Sequence, residues 1–288
     1  MLLKNIIRAI TPKYLLKLGS SIFSSESYVN EIRDLIISFQ TNQLQHSHPN
    51  IINSFGKKCF SQADEDGITL EILKRLKCID MGTFAEFGVG DGTENNTLIL
   101  KALGWKGFWV GGEDLAFEIK CSKQSFSYLK DWITLDNIIR LTRHGIKNIG
   151  AEGIDVISLD LDGNDIYFVD KLLSGGFLPK LFIVEYNAKF PPPVKWQIDY
   201  NPTHVWQFDD YYGASLTSFT DLFIKYGFKL VCCNSHTGNN AFFVRGDFSD
   251  AFNDIPEDIE SIYVGPRYFL YHFFGHKNSI KTIEKLFA

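Results

Sequence analysis

No stretch of this 288-residue chain reaches the run of roughly 18 apolar residues that a membrane span needs, so no integral helix is expected. The N-terminal segment also lacks the shape of a secretory leader, because Lys4, Arg8, Lys13 and Lys17 interrupt every candidate apolar core. A cytoplasmic protein is expected. No cysteine pair has C-x-x-C spacing, and the five present (Cys59, Cys78, Cys121, Cys232, Cys233) are odd in number. That pattern suggests neither a disulfide framework nor a zinc site, and it fits a reducing compartment. Positive charge is not in excess either: the net charge is -5 and the pI near 5.8, which removes the attraction that nucleic acid requires. What the chain does have is apolar content, 45% hydrophobic, enough for one large core with a small appendage.

The most informative stretch is FAEFGVGDGTENNT, residues 84–97. An apolar strand ends in Glu86, a glycine-spaced turn follows, and Asp91, Glu94 and Asn95 are expected to open a helix. Gly88, Gly90 and Gly92 let the backbone pass close to a ligand, having no Cβ to collide with it. Dinucleotide turns read G-x-G-x-x-G and seat a pyrophosphate on a helix N-terminus. Here the third glycine comes one residue early, so pyrophosphate is disfavoured. Carboxylates at the strand end and in the loop repel phosphate and attract ammonium and hydroxyl groups. S-adenosylmethionine carries both. A purely structural strand-to-helix turn is the alternative.

Along the chain, residues 1–53 read as a helical extension with a linker, and residues 54–288 as the main domain. Within residues 1–25, Leu3, Ile6, Ile7 and Ile10 lie at helical spacing among cations, with Pro12 breaking the segment. Such a helix can lie on an anionic membrane surface or pack on the body or a partner chain. Val29, Ile32, Leu35, Ile36 and Phe39 share one face of a second helix over 28–40, a candidate surface for homo-oligomers. The polar stretch 40–53 reads as the linker. Ser61 and Asp64 form a capping-box pattern ahead of a helix over 62–76. Strands are expected at 84–87, 107–111, 128–134, 155–160 and 181–185, spaced by helical segments as in a parallel sheet covered on both faces. FKLVCC (228–233) and AFFVR (241–245) are separated by only seven residues, too few for a crossover helix, so they are expected to pair as a hairpin that reverses the last strand. The fold class is therefore α/β, a Rossmann-like doubly wound sheet with an antiparallel terminal hairpin strand.

That topology resembles the class I S-adenosylmethionine-dependent methyltransferases. More closely, the body resembles the FkbM-like methyltransferases of surface-polysaccharide clusters, through SQADEDG (61–67), the 84–97 stretch, GWKGFWV (104–110), DWITLDNI (131–138), DVISLDLDGND (155–165), IVEYNAKF (183–190), YYGASL (211–216) and NAFFVR (240–245). The resemblance covers roughly residues 56–246. It implies transfer of a methyl group from S-adenosylmethionine to a sugar hydroxyl of a glycan or its precursor. It places Glu86, Gly88, Gly90 and Asp91 around the methionine part of the cofactor, with hydrogen bonds from Asn96 and Thr97. Where the family has a ribose-binding acid directly after the second strand, this chain has Gly111, and Glu113 and Asp114 are the nearest acids for the diol. Asp136 and Asn137 fall on the adenine side.

Methylating a hydroxyl requires placing the acceptor and removing its proton, by a protein base or with a divalent cation that lowers the hydroxyl pKa. Asp160 and Asp162 end the fourth strand while Glu185 and Asn187 end the fifth, at the edge where open α/β sheets hold ligands. Asp160 and Glu185 are candidate catalytic residues. The four oxygen donors Asp160, Asp162, Glu185 and Asn187 suit Mg²⁺ or Mn²⁺ better than zinc. A tight turn with Asx hydrogen bonds is the plainer reading of 162–164. His204 and His236 are alternative bases. The aperiodic stretch 189–215 carries Trp196, Tyr200, Trp206, Tyr211 and Tyr212; Trp196, Trp206 and Tyr211 are the candidate acceptor platform, aromatic faces stacking on sugar C–H faces. A methyltransferase-like scaffold without activity and a nicotinamide-dependent oxidoreductase are the competing functional readings.

Overall fold

The computed structural model of the chain describes residues 13–268 and 275–288. The chain divides into two compact units, Met1–Gln43 and Leu44–Ala288. Helix α1 (Lys13–Ser47) accounts for the described part of the first unit and enters the second for its last residues. Val29, Ile32, Leu35, Ile36 and Phe39 are exposed on it, each more than half. The basic segment expected to start the chain falls partly on residues 1–12, which lie outside the described residues. No described helix is long and apolar enough to cross a membrane.

The second unit is a seven-stranded sheet. Its strands are β1 (Thr83–Phe87), β2 (Lys106–Gly111), β3 (Phe126–Lys130), β4 (Val156–Leu159), β5 (Leu181–Glu185), β6 (Phe228–Cys233) and β7 (Asn240–Arg245). They lie in the order β3-β2-β1-β4-β5-β7-β6, with β7 antiparallel to both neighbours and the other pairs parallel. The expected reversed hairpin is therefore present. The helices are α2 (Glu65–Arg75), α3 (Leu98–Ala102), α4 (Ile138–Asn148), α5 (Asp165–Ser174), α6 (Leu216–Lys225), α7 (Ile259–Ile262) and α8 (Ile280–Leu286).

Alternation along each strand sends neighbouring residues to opposite faces. Ile68 and Ile72 of α2 pack with Phe84, Ile183 and Phe242 in one core, whereas Leu141, Leu172 and Phe219 of α4, α5 and α6 pack with Ala85, Phe182 and Phe243 in the other. The α2 face is thus also the face of Glu86, Glu185 and Asn240, by strand parity. The strand order runs outward in opposite directions from β1 and β4, and this switch opens a crevice at the C-terminal ends of the parallel strands, where side chains of β1, β4 and β5 converge.

Three local expectations differ from the structure. β3 is Phe126–Lys130 rather than 128–134, because only Gly107 to Gly111 of β2 are available to pair with it; Trp132 to Thr134 then leave the sheet at its C-terminal end. The helix expected over 62–76 begins at Glu65, and Asp64 at its start makes no capping bond; instead its carboxylate accepts from Ser235 N (3.1 Å), His236 N (3.0 Å) and Gln45 Nε2 (2.9 Å). The stretch 40–53 is not a linker. α1 runs through it to Ser47, and Asn50 and Asn53 are buried, their amides donating to the β6 carbonyls of Val231 (2.7 Å) and Cys233 (2.8 Å). Amide groups that satisfy a strand's carbonyls are the reason polar residues can be interior here.

Candidate active site

The glycine loop after β1 is shaped by contacts that only a residue without Cβ permits. Gly88 has φ +86°, and a Cβ there would sit 1.6 Å from the Asp160 carbonyl oxygen, so β1 and β4 approach through this position. Gly90 has φ +49° with nothing within 4 Å, and it opens on the cavity. Glu86 is buried, and its carboxylate accepts from Asn96 N (2.9 Å), Thr97 N (3.1 Å) and Thr97 Oγ (2.5 Å). Burial pushes its carboxyl up while the Thr97 and Asn96 bonds pull it down. The loop's helix begins only at Leu98, and Glu86 holds its preceding residues in place.

Two residues assigned to the cofactor occupy other positions. Thr97 is fully buried beneath the loop, its hydroxyl donating to Glu86 and accepting from Trp109 Nε1 (2.8 Å), and it lines neither cavity of the site. Asp91 is exposed and lines neither cavity of the site; it accepts from Thr93 N (3.0 Å) and Thr93 Oγ (2.5 Å), closing an Asx turn. Gly88, Gly90 and Glu113 line a cavity of about 450 Å³, and Asn96 and Glu86 line a smaller one of about 120 Å³. Asn137 caps its own turn, Oδ1 accepting from Thr134 N (2.8 Å), and the far wall of the larger cavity is instead made by Trp132, Ile133 and Thr134. Trp132, 61% exposed, carried no sequence signal as a wall residue because it lay inside an expected strand.

Oxygen atoms of Asp160, Asp162 and Glu185 lie within 4.8 Å of one another. Asp165 at the start of α5 shapes their loop, accepting from Leu161 N (2.7 Å) and Gly163 N (2.8 Å), and Asp162 takes φ +52°. That conformation is uncommon outside glycine and here turns Asp162 out beside the cavity. Burial, then the charges of Asp162 and Asp165, hold the Asp160 carboxyl well above its ordinary range. Glu185 is raised well above its own range by burial and then by Asp160, with which it shares a hydrogen bond. The pair therefore titrates as a unit that keeps a proton where isolated carboxyls lose theirs. Asn187 does not join them. Its amide nitrogen donates to Asp210 O and Tyr212 O (3.0 Å each) and its oxygen accepts from Lys189 N (3.3 Å), which pins the loop after β5.

The aromatic stretch splits by burial. Trp196 is 4% exposed and stacks on Phe190 at 4.4 Å, so it is an interior support and not an acceptor platform; Tyr211, half-buried, packs edge-on against it and lines neither cavity of the site. Trp206 and Tyr200 line the larger cavity. His204 lines it as well, lying so close to Gly163 that a Cβ there would fall 2.3 Å from the ring. Burial, then Lys281, lowers the His204 pKa, which keeps the ring neutral near pH 7. His236 lines neither cavity; its backbone nitrogen is held by Asp64.

The motif SQADEDG conceals three consecutive buried acids. Asp66 Oδ2 accepts from Cys59 N, Phe60 N, Ser61 N and Ser61 Oγ at 2.6 to 2.9 Å. Glu65 accepts from Asn234 Nδ2 (2.9 Å), Asn240 Nδ2 (3.0 Å) and Ala63 N (2.8 Å), and burial followed by Asp64 pushes its carboxyl up to about 7. Acidic residues at a helix start read as ordinary dipole partners, so their burial was not legible.

No family model matches the chain, and no curated protein matches it. Among solved structures, the chain is similar to an O-methyltransferase family 2 protein from Planctomyces limnophilus in complex with apigenin (13% identity, 57% of this chain and 51% of that one, TM-score 0.32). It is similar to human N-acetylserotonin methyltransferase in complex with SAM (10%, 61% and 50%, TM-score 0.35). It is also similar to magnesium protoporphyrin IX methyltransferase from Synechocystis with bound SAH (12%, 75% and 99%, TM-score 0.38). The chain spans about half the length of the first two. Likeness of this degree assigns neither ligand nor activity.

Proposed function

We propose that the protein is an S-adenosylmethionine-dependent O-methyltransferase whose acceptor is a sugar hydroxyl of a surface glycan or its precursor. The observation that carries this reading is the larger cavity: it runs from the glycine loop past Glu113 to Asp160 and Asp162, and no described Lys or Arg lines it. An acidic, cation-free wall suits a sulfonium and a ribose diol and opposes the pyrophosphate of a nicotinamide cofactor. On this reading Gly88 and Gly90 allow the close backbone approach, Glu113 would meet the diol, and Trp132 and Ile133 offer an apolar wall for a base. S-adenosylmethionine, when bound, supplies an electrophilic methyl group.

On this reading Tyr200 and Trp206 seat the sugar ring at the cavity wall. The acceptor proton passes to neutral His204, which lies against Gly163 at the same cavity, or, with no cation bound, to the Asp160–Glu185 pair. The oxygens of Asp160, Asp162 and Glu185 would hold Mg²⁺ or Mn²⁺, whose charge lowers the pKa of a coordinated hydroxyl. Self-association through the exposed apolar face of α1, at Val29, Ile32, Ile36 and Phe39, belongs to the same proposal, and sedimentation of the full chain with Ile36→Glu tests it. Incubation with methyl-tritiated S-adenosylmethionine and a panel of glycosides tests the reaction: label is expected on a sugar oxygen. Label on an amine, or on no glycoside while the cofactor still binds, removes the sugar acceptor.

A further inference from the structure

The open edge of the sheet carries a row of polar side chains that the acid cluster only partly uses. β4 and β5 pair with Leu159 opposite Val184, so the next step sets Asp160 beside Glu185. β5 and β7 pair with Glu185 opposite Asn240. Residues paired across neighbouring strands point to the same face, with Cβ atoms about 4.5–5.5 Å apart in an antiparallel pair. Asp160, Glu185 and Asn240 therefore stand in line on the α2 face, and Asp160 and Asn240 border the same small cavity of about 120 Å³.

Asn240 is 5% exposed, and its Oδ1 has no hydrogen-bond partner among the described residues. Asn95 Oδ1 on the same small cavity is also unpartnered, and the oxygen of Asn187 accepts from Lys189 N, so among the amides of this edge it is Asn240 that is both unpartnered and paired with Glu185 across strands. Its orientation is fixed from behind: Nδ2 donates to Glu65 Oε1 (3.0 Å), an acceptor that also receives Asn234 Nδ2 (2.9 Å), and the Asn240 backbone nitrogen donates to Asn234 Oδ1 (2.9 Å). A carboxylate behind the amide nitrogen leaves the carbonyl oxygen facing the other way. An unpartnered buried amide oxygen is destabilising unless a donor or cation meets it. The buried acid Glu65 thereby acquires a role, because it orients an oxygen at the site.

We infer that Asn240 supplies the fourth oxygen of a divalent-cation site made with Asp160, Asp162 and Glu185, in the place that sequence reading gave to Asn187. Three carboxylates and a neutral amide oxygen are a hard donor set of the kind Mg²⁺ and Mn²⁺ take, with water completing six-coordination. This rests on the cation part of the function proposed above, and its test does not depend on turnover.

Mn²⁺ titration followed by electron paramagnetic resonance reads the site directly, with S-adenosylhomocysteine affinity measured by calorimetry on the same samples. Wild type is expected to bind one Mn²⁺, Asp160→Asn to lose it, and Asn240→Ala to bind it at least tenfold more weakly with homocysteine-analogue affinity within threefold of wild type. Asn240→Ser, whose hydroxyl can still donate to Glu65 while withdrawing the ligand oxygen, should show the same weakening if the alanine variant does not fold. Unchanged Mn²⁺ affinity in either folded variant overturns the assignment of Asn240. Absence of Mn²⁺ binding by wild type overturns the cation site altogether, while intact S-adenosylhomocysteine binding in that sample would leave the cofactor reading standing.

Discussion

Glu86 and Glu185 lie near the C-terminal ends of β1 and β5 on the same face of the sheet, the first buried and the second half-buried, and desolvation raises both carboxyls, yet their surroundings are opposite. Glu86 receives three donors from its own loop, Asn96 N, Thr97 N and Thr97 Oγ. Glu185 lies by Asp160 and Asp162, and the charge of Asp165 adds to theirs. A saturated carboxylate organises the backbone around it, whereas a carboxylate crowded by its own kind is held in a state that a proton or a cation must relieve. Perturbation of that second kind marks sites of chemistry more often than sites of architecture. On the proposed reading, the two glutamates divide the edge into a cofactor-shaping half and a proton-handling half.

The sharpest way to break this comparison is to neutralise each half. Asp160→Asn or Glu185→Gln should reduce methyl transfer by about 10²–10⁴-fold, leave S-adenosylhomocysteine binding near wild type, and leave melting temperature at pH 8 unchanged or higher because like charges are removed. Glu86→Gln should do the reverse, lowering stability by about 1–3 kcal/mol as an amide nitrogen is forced against backbone donors. If Glu86→Gln proved as stable as wild type, or Glu185→Gln unfolded, the division would be wrong.

Next in size, Trp196→Ala should destabilise by about 3–5 kcal/mol as a core deletion, seen in chemical denaturation. Trp206→Ala should instead raise the acceptor KM at nearly constant melting temperature. Within the loop, Gly88→Ala should abolish cofactor binding through its clash with Asp160, while Gly90→Ala should retain the fold at a backbone cost of about 1–2 kcal/mol.

Stability should also depend on pH in a definite direction. Glu65, raised from 4.5 to about 7, and Asp165, raised to about 6, bind more protons folded than unfolded. Stability of the metal-free protein should therefore fall as pH rises from about 4.5 to about 7, and Glu65→Gln should flatten that fall. A melting temperature rising across this window would contradict the assignment. The smallest effect belongs to Asp91→Asn, which should leave S-adenosylhomocysteine affinity unchanged.

Much of the sheet was legible because its signal is local. LFIVE at 181–185 and FKLVCC at 228–233 are the strands β5 and β6 residue for residue, and the seven-residue gap after β6 forced the hairpin. What was not legible depended on partners distant in sequence. Nothing in Asn50 or Asn53 announces that their amides meet β6 some 180 residues later. Asn187 and Asn240 are the same residue type at the same edge, and only the structure separates them: backbone carbonyls take the amide of one, while Glu65 turns the oxygen of the other inward. Thr97 and Trp196 failed as site residues for a related reason, since a residue type suited to ligand contact is equally suited to filling the layer beneath it.

The central claim is that the acid-walled cavity under the glycine loop takes S-adenosylmethionine. Isothermal calorimetry of the wild-type chain with S-adenosylhomocysteine, followed by NADH, tests it most directly. Saturable one-site heat with the first and none with the second is the predicted result; NADH binding without S-adenosylhomocysteine binding, or heat from neither, would contradict it.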